Sequence, residues 1–325
     1  MFGARGLGKT APRAPQRCEG FSVMTKVEKQ KARMAGMFTS RSFPAAVGLL
    51  VLCGAFGCAL LVAGRCLRAD PPAGAQWKLV WNDEFDGKEL DETKWEKVGD
   101  GKRRDAFWLK ENTSLDGKGH LVVLSTEKDG RYACGGVRSR EKFMHSFGYY
   151  EIRCEVPDEV GTWAAFWLYA PCVGKVGNGG KDGAEIDIFE AVWRDKDEVN
   201  VALHWDGYGK EHKSWAKKAK TPGVNEGFHT FGLRWSPEEY VFYYDGKEVA
   251  RTSEGGVCQV PLYIKVTTEI GEWAGDIKKA KLPDDFVVDY VRVYDVVAGS
   301  PQKAAAPETK GDKPAPTVPK NLRTR

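Results

Sequence analysis

Three carboxylates, Glu185, Asp187 and Glu190, stand within six residues in the stretch GAEIDIFEAVW. The residues between them read as a strand, whose side chains alternate between two faces. Glu185 and Asp187 then share a face, while strict alternation sends Glu190 to the side of Ile186 and Ile188. A β-bulge at Ile188–Phe189 would add one residue, return Glu190 to the acidic face and move Phe189 off it. The product is a row of three carboxyl groups. Such a row suits cleavage of a glycosidic bond with retention, which needs two carboxyls about 5–5.5 Å apart, one nucleophilic and one acid/base. Like charges at that range push one pKa up and keep a proton. The nucleophile stays ionised, the acid stays protonated, and the middle Asp mediates by hydrogen bonding. Two other uses compete: a solvated strand face, or a calcium site. Calcium gathers about six to eight oxygens, usually from a loop of alternating Asp/Asn and Gly. The Ile, Phe, Ala and Val neighbours here suit a strand better.

The elements that would hold such a row are also strands. HLVVLSTE runs into a KDG turn, and GYYEIRCEV alternates Tyr150, Ile152, Cys154 and Val156 against Tyr149, Glu151, Arg153 and Glu155. HTFGLRWS, EYVFYYDGKEVART with its Asp245-Gly246 hairpin, PLYIKVTTEI and DFVVDYVRVYD follow. No helical period persists beyond about ten residues. Short strands with Gly, Pro and Asp turns predict an all-β fold of two packed antiparallel sheets. No GxGxxG, GK[ST] or HExxH pattern occurs, so nucleotide and zincin chemistry have no footing. The chain's 11 tryptophans all fall in this middle part. Some must fill the core, but in GTWAAFWLY small alanines set Trp163 and Trp167 apart, and flat rings suit the apolar faces of sugars.

Composition divides the 325 residues into three. Residues 1–69 carry 11 Lys/Arg against two acids, and residues 298–325 carry six against two. The middle, 70–297, therefore holds 32 basic against 41 acidic residues, and the chain's formal +4 hides a domain near −9. That is a poor footprint for nucleic acid or an anionic bilayer. Residues 45–64 are 20 positions without a charge, preceded by Arg41 and followed by RCLRADPPAGA. This pattern predicts an export signal, cleaved or retained as a membrane anchor, with Met34 or Met37 as a more ordinary signal start. The protein is expected to be secreted or held at the cell envelope. Cys134, Cys154, Cys172 and Cys258 have no zinc-binding spacing, and three disulfide connectivities stay open. The Pro/Ala/Lys-rich end, 298–325, reads as a disordered tail.

EIDIFE resembles the E-x-D-x-x-E signature of glycoside hydrolase family 16, in its bulge-containing variant. The likeness extends over most of residues 77–295, through WKLVWNDEFDGKELDETKWE, FGYYEIRCEVPDEVGTWAAFWLYAP, FHTFGLRWSPEEYVFYYDGKEV and VDYVRVYD in that order. It implies a β-jelly roll with a concave cleft and endo-acting, retaining hydrolysis of β-linked glucans or galactans. Carried over by position, Glu185 is the nucleophile, Asp187 the assisting carboxylate and Glu190 the acid/base. Trp163 and Trp167 line the cleft, His204 stands beside the acid/base residue, and Trp273 takes the place of a further cleft aromatic. No cofactor is expected. The family can hold structural calcium on its outer face, with Asp289 the one candidate ligand, and no metal is assigned. The segment GDGKRRDAFWLK departs from the Asn-rich stretch of many β-1,3-glucanases, so Trp108 and Arg104 are expected to replace its contacts. The substrate expected first is a β-1,3- or mixed-linkage β-glucan, with a marine galactan of the agar or carrageenan type as the alternative. A non-catalytic glycan-binding protein on the same fold would be expected to lose one or more of the three acids, and all three are present. The partner is a polysaccharide, and the protein is expected to be a monomer.

Overall fold

The computed structural model describes residues 71–192 and 195–298. The expected leader with its apolar run 45–64, the tail from residue 299 and Trp193 lie outside the described residues. Among those described there is no α-helix, only four short 3₁₀ turns between strands. None is long and apolar enough to cross a membrane.

Two sheets form, as the alternating pattern predicts. The outer one runs Lys247–Thr252, Tyr240–Tyr244, His229–Trp235, Gly148–Glu155, Asp284–Val296, Leu121–Lys128, Arg131–Cys134, Ala106–Trp108 and Gly101–Arg103. Trp77–Asp83 also pairs with Asp284–Val296, and Thr113–Leu115 with Leu121–Lys128. The inner sheet runs Lys213–Lys220, Glu198–Trp205, Glu185–Val192, Thr162–Tyr169, Leu262–Ile270, Gly136–Arg138 and Glu96–Lys97, with Met144–His145 paired to Leu262–Ile270. The pairings are antiparallel except that of Ala106–Trp108 with Arg131–Cys134. The chain crosses repeatedly between sheets, so each contributes one apolar face to a shared core. Tyr150, Ile152 and Cys154 from the outer sheet meet Phe166, Leu168, Ile186 and Ile264 from the inner one, all of them buried. The four described cysteines stand as separate thiols, three of them buried.

The acidic strand sits in the middle of the inner sheet, and its start is fixed by a close approach. Gly183 has φ +156°, and a Cβ there would lie 2.7 Å from the Cys172 carbonyl, which leaves room for glycine alone. Two residues later the strand Glu185–Val192 begins. Its ladder then loses step. Trp167 opposes Asp187 while Phe166 opposes Phe189, so Ile188 has no partner residue on that side. On the other side Asp187 opposes Ala202 and Glu190 opposes Asn200, again three residues against two. This is the bulge that the parity of the sequence demands. Ile188 and Phe189 both turn into the core, where Phe189 stacks on Phe231 with ring centroids 4.0 Å apart. Burying a phenyl ring contributes about 1.5–3 kcal/mol, and leaving an unpaired carboxylate in its place would cost several kcal/mol more. Both effects favour the bulged register.

Candidate active site

Beyond the bulge the odd-numbered positions of two neighbouring strands and the acid row share the concave face. Glu185, Asp187 and Glu190 line one groove together with Trp163, Ala165, Trp167, Arg103, Arg104 and Glu269. A larger cavity, about 560 Å³, opens elsewhere beside Trp77, Phe147, Arg234 and Tyr243, but none of the acid row reaches it.

Each acid has a different environment. Glu185 accepts a hydrogen bond from the Tyr208 hydroxyl at 2.5 Å. Asp187 is buried, and this burial, reinforced by the charge of Glu185, holds its carboxyl well above the usual carboxylate range. Glu190 is half-buried and accepts from the Asn200 amide at 2.9 Å. Burial first, and Asp187 second, push Glu190 up to about 8 against that amide's opposing pull. A carboxyl in this state carries its proton at neutral pH. The groove can therefore offer a proton at Glu190 and an oxygen nucleophile at Glu185, five residues away on the same strand face.

The histidine expected beside Glu190 stands instead with the other two acids. His204 lies across the ladder from Glu185, and its Nε2 is 3.4 Å from Asp187 Oδ2. Its Nδ1 meets His212 Nε2 at 2.9 Å, and the two rings stack. Asn200, four residues earlier on that strand, is what touches Glu190. Glu185, Asp187 and His204 bring one donor atom each within 4.8 Å of one another. Three donors fall well short of a calcium shell. The one ligand expected for calcium on the outer face is Asp289. Asp289 is already neutralised by Arg153, whose Nη1 lies 2.6 Å away and whose guanidinium covers Phe228.

Of the expected aromatic platforms, two are structural walls more than open faces. Trp163 is 1% exposed, beneath the edge of Trp273 and the guanidinium of Arg104. Trp167 is 5% exposed, its indole donating to Thr267 Oγ1 and its ring face covered by the ammonium of Lys265 at 3.4 Å. Trp108 anchors its indole on the Thr268 carbonyl and takes Arg103 over its ring. The rings that do face solvent are Trp273, 38% exposed, and Tyr208, 54% exposed.

Sequence reasoning passed over Tyr208, Asn200, Glu269 and Lys265. Glu269 takes both Arg103, at 2.9 Å, and Arg104, at 3.5 Å. Lys265 is 7% exposed, and its burial pulls the amine down to about 7. Cation–π contact with Trp167, Trp108 and Tyr169 recovers about 2 kcal/mol at best, less than the several kcal/mol that desolvating an ammonium costs. A signal for both was present: Tyr263, Lys265, Thr267 and Glu269 alternate with Ile264, Val266 and Ile270, as one polar and one apolar face of a strand.

A two-sheet sandwich with a groove floored by a bulged acidic strand is a recognised enzyme architecture, and residues 81–292 match the family described as glycosyl hydrolases family 16. The chain belongs to that family. It is 30% identical over 178 residues to the endo-1,3-1,4-beta-glycanase EglC of Rhizobium meliloti, a match covering 54% of this chain and 36% of that protein. It is 28% identical to the beta-glucanase of Rhodothermus marinus, covering 73% of this chain and 90% of that one. Among solved structures, the endo-beta-1,3-glucanase from Pyrococcus furiosus superposes with a TM-score of 0.60 at 27% identity, covering 71% of this chain and 98% of that one. The chain thus spans about a third of the length of the first of these relatives.

Proposed function

We propose that the protein is an endo-acting, retaining glycoside hydrolase of a β-linked polysaccharide, with a β-1,3- or mixed-linkage β-glucan backbone as substrate. The observation that carries this reading is the division of labour within the acid row: two carboxyls on one groove face, one held protonated and the other approached by a hydroxyl donor. Glu185 Oε attacks the anomeric carbon as Glu190 passes its proton to the leaving glycosidic oxygen, giving a covalent glycosyl-enzyme. Glu190, now ionised, removes a proton from water, and the hydroxide displaces Glu185 with a second inversion. Asp187, buried beside Glu185 where its protonated form is favoured, can donate to Glu185 as charge on it changes. No cofactor enters these steps. The β-glucanase relatives support the glucan and cleavage within the chain. The apolar run 45–64 supports export, with the protein acting outside the cytoplasm as a monomer.

The test is release of reducing ends from laminarin, lichenan, agarose and carrageenan by the full chain and by Glu185→Gln. Cleavage of laminarin or lichenan that Glu185→Gln abolishes is the expected result. Turnover of the glucans that survives Glu185→Gln would overturn the assignment of the nucleophile, and no cleavage of any of the four would overturn the glucan reading.

A further inference from the structure

The proposed reaction gives the ammonium of Lys265 no role. It projects from Leu262–Ile270 onto the concave face, is 93% covered, and sits against three rings, with Trp167 at 3.4 Å, Trp108 at 5.1 Å and Tyr169 at 5.6 Å. The ring faces give it cation–π contact in place of conventional hydrogen bonds. Among the described residues it has no hydrogen-bond or ion-pair partner, whereas its cationic neighbours have theirs: Arg103 on Glu269 and Arg138 on Glu96. The Lys265 nitrogen is not among the fully enclosed polar atoms that lack a partner, so it keeps an opening to the groove through which a ligand's acceptor can reach it.

Its place in the sheet is equally specific. Asp187, Trp167, Lys265, Arg138 and Glu96 occupy one row across five adjacent strands. Lys265 is therefore two strand spacings, about 10 Å, from the acid row along the line of the groove. A polysaccharide chain crossing the strands would carry a sugar unit over it while its scissile bond lay at Glu185 and Glu190. On this side of the groove Arg103 and Arg104 are held by Glu269 and Arg138 by Glu96, whereas Lys265 has no ion-pair partner of its own among the described residues.

We propose that Lys265 selects an acidic substituent on the glycan, a sulfate ester or a carboxylate, borne by a sugar unit about two strand spacings from the scissile bond. The proposal rests on the hydrolase reading above and narrows its substrate to a lightly charged β-glycan. An anion seated there would accept from the ammonium and favour its charged form, which burial penalises. A neutral hydroxyl would supply an acceptor but no charge.

The experiment compares laminarin with laminarin bearing sparse sulfate esters and laminarin partly oxidised to carboxylate at C6, using the full chain and Lys265→Met. Wild type should show about tenfold or greater preference in kcat/KM for one of the acidic polymers over the neutral one, and Lys265→Met should erase it. Which acidic polymer is preferred identifies the substituent. Equal or lower kcat/KM on both acidic polymers for wild type overturns the proposal without recourse to any variant, as does a preference that Lys265→Met retains. Binding of short acidic and neutral laminari-oligosaccharides by Glu185→Gln and by Glu185→Gln/Lys265→Met, followed by calorimetry, separates the two readings. A Lys265-dependent preference for the acidic oligosaccharide without turnover by wild type would leave the selection standing and sink the hydrolase. Turnover of neutral laminarin without that preference would do the reverse.

Discussion

The carboxyl of Glu190 is drawn two ways: burial and Asp187 favour its protonated form, while the amide of Asn200 favours the ionised one. With the balance at about 8, the basic limb of kcat/KM on a glucan is expected near that pH, since the acid must hold its proton in the free enzyme. Removing the donor with Asn200→Ala takes away a stabiliser of the charge, so the limb should move upward, by up to about one pH unit. A pH profile from pH 5 to 10 reads it, and a downward shift would contradict the assigned role. The same carboxyl makes a stability prediction. Its folded value lies above the unfolded one of 4.5, so its contribution is intact below pH 4.5 and is lost as pH rises through 8. Glu190→Gln is neutral throughout and should melt higher than wild type at pH 8.5, with the gain vanishing by about pH 4. It should also lose far less activity on an aryl glycoside with an activated leaving group than on laminarin, because that leaving group needs no proton.

At the level of the strand, one extra residue decides what the groove contains. Phe189 anchors the bulged register through Phe231 and Phe286, so Phe189→Ala should cost about 3–5 kcal/mol in urea denaturation, whereas a solvent-facing phenylalanine would cost almost nothing. This element was legible in the sequence because the conflict was local: a glutamate where alternation calls for a core residue, with phenylalanine beside it. Other features depended on pairing between distant strands. Asn200 meets Glu190, and His204 meets Asp187, only through the register of Glu185–Val192 on Glu198–Trp205, which no run of residues within either strand encodes. The polar alternation of Lys265 and Glu269 was visible, but it reads alike for a solvated face and a groove floor. Exposure of the tryptophans was the least accessible feature, since Trp163 and Trp167 owe their burial to Trp273, Arg104 and Lys265 from other segments.

For the whole molecule, the two-sheet architecture followed from the strand pattern, and the charge of the domain sets how polymers approach it. Near −9 over residues 70–297, the domain repels a densely sulfated chain at distances where Lys265 cannot act. Initial rates on carrageenan should therefore be lower than on laminarin at low salt and should rise as salt screens the repulsion, while rates on laminarin stay level. Falling carrageenan rates with added salt would show local arginines overriding the overall field. Charge has a separate use at the border of the inner sheet. The strand Lys213–Lys220 ends that sheet's hydrogen-bonded order, and Lys213, Lys217, Lys218 and Lys220 are all exposed on it. A bare strand border is a template on which a second molecule can add its own strand, and long charged side chains along it make that addition unfavourable. Lys213, Lys218 and Lys220 each pair with a carboxylate, so a strand adding at this border would have to dislodge those ion pairs, a resistance to fibrous growth that owes nothing to the acid row.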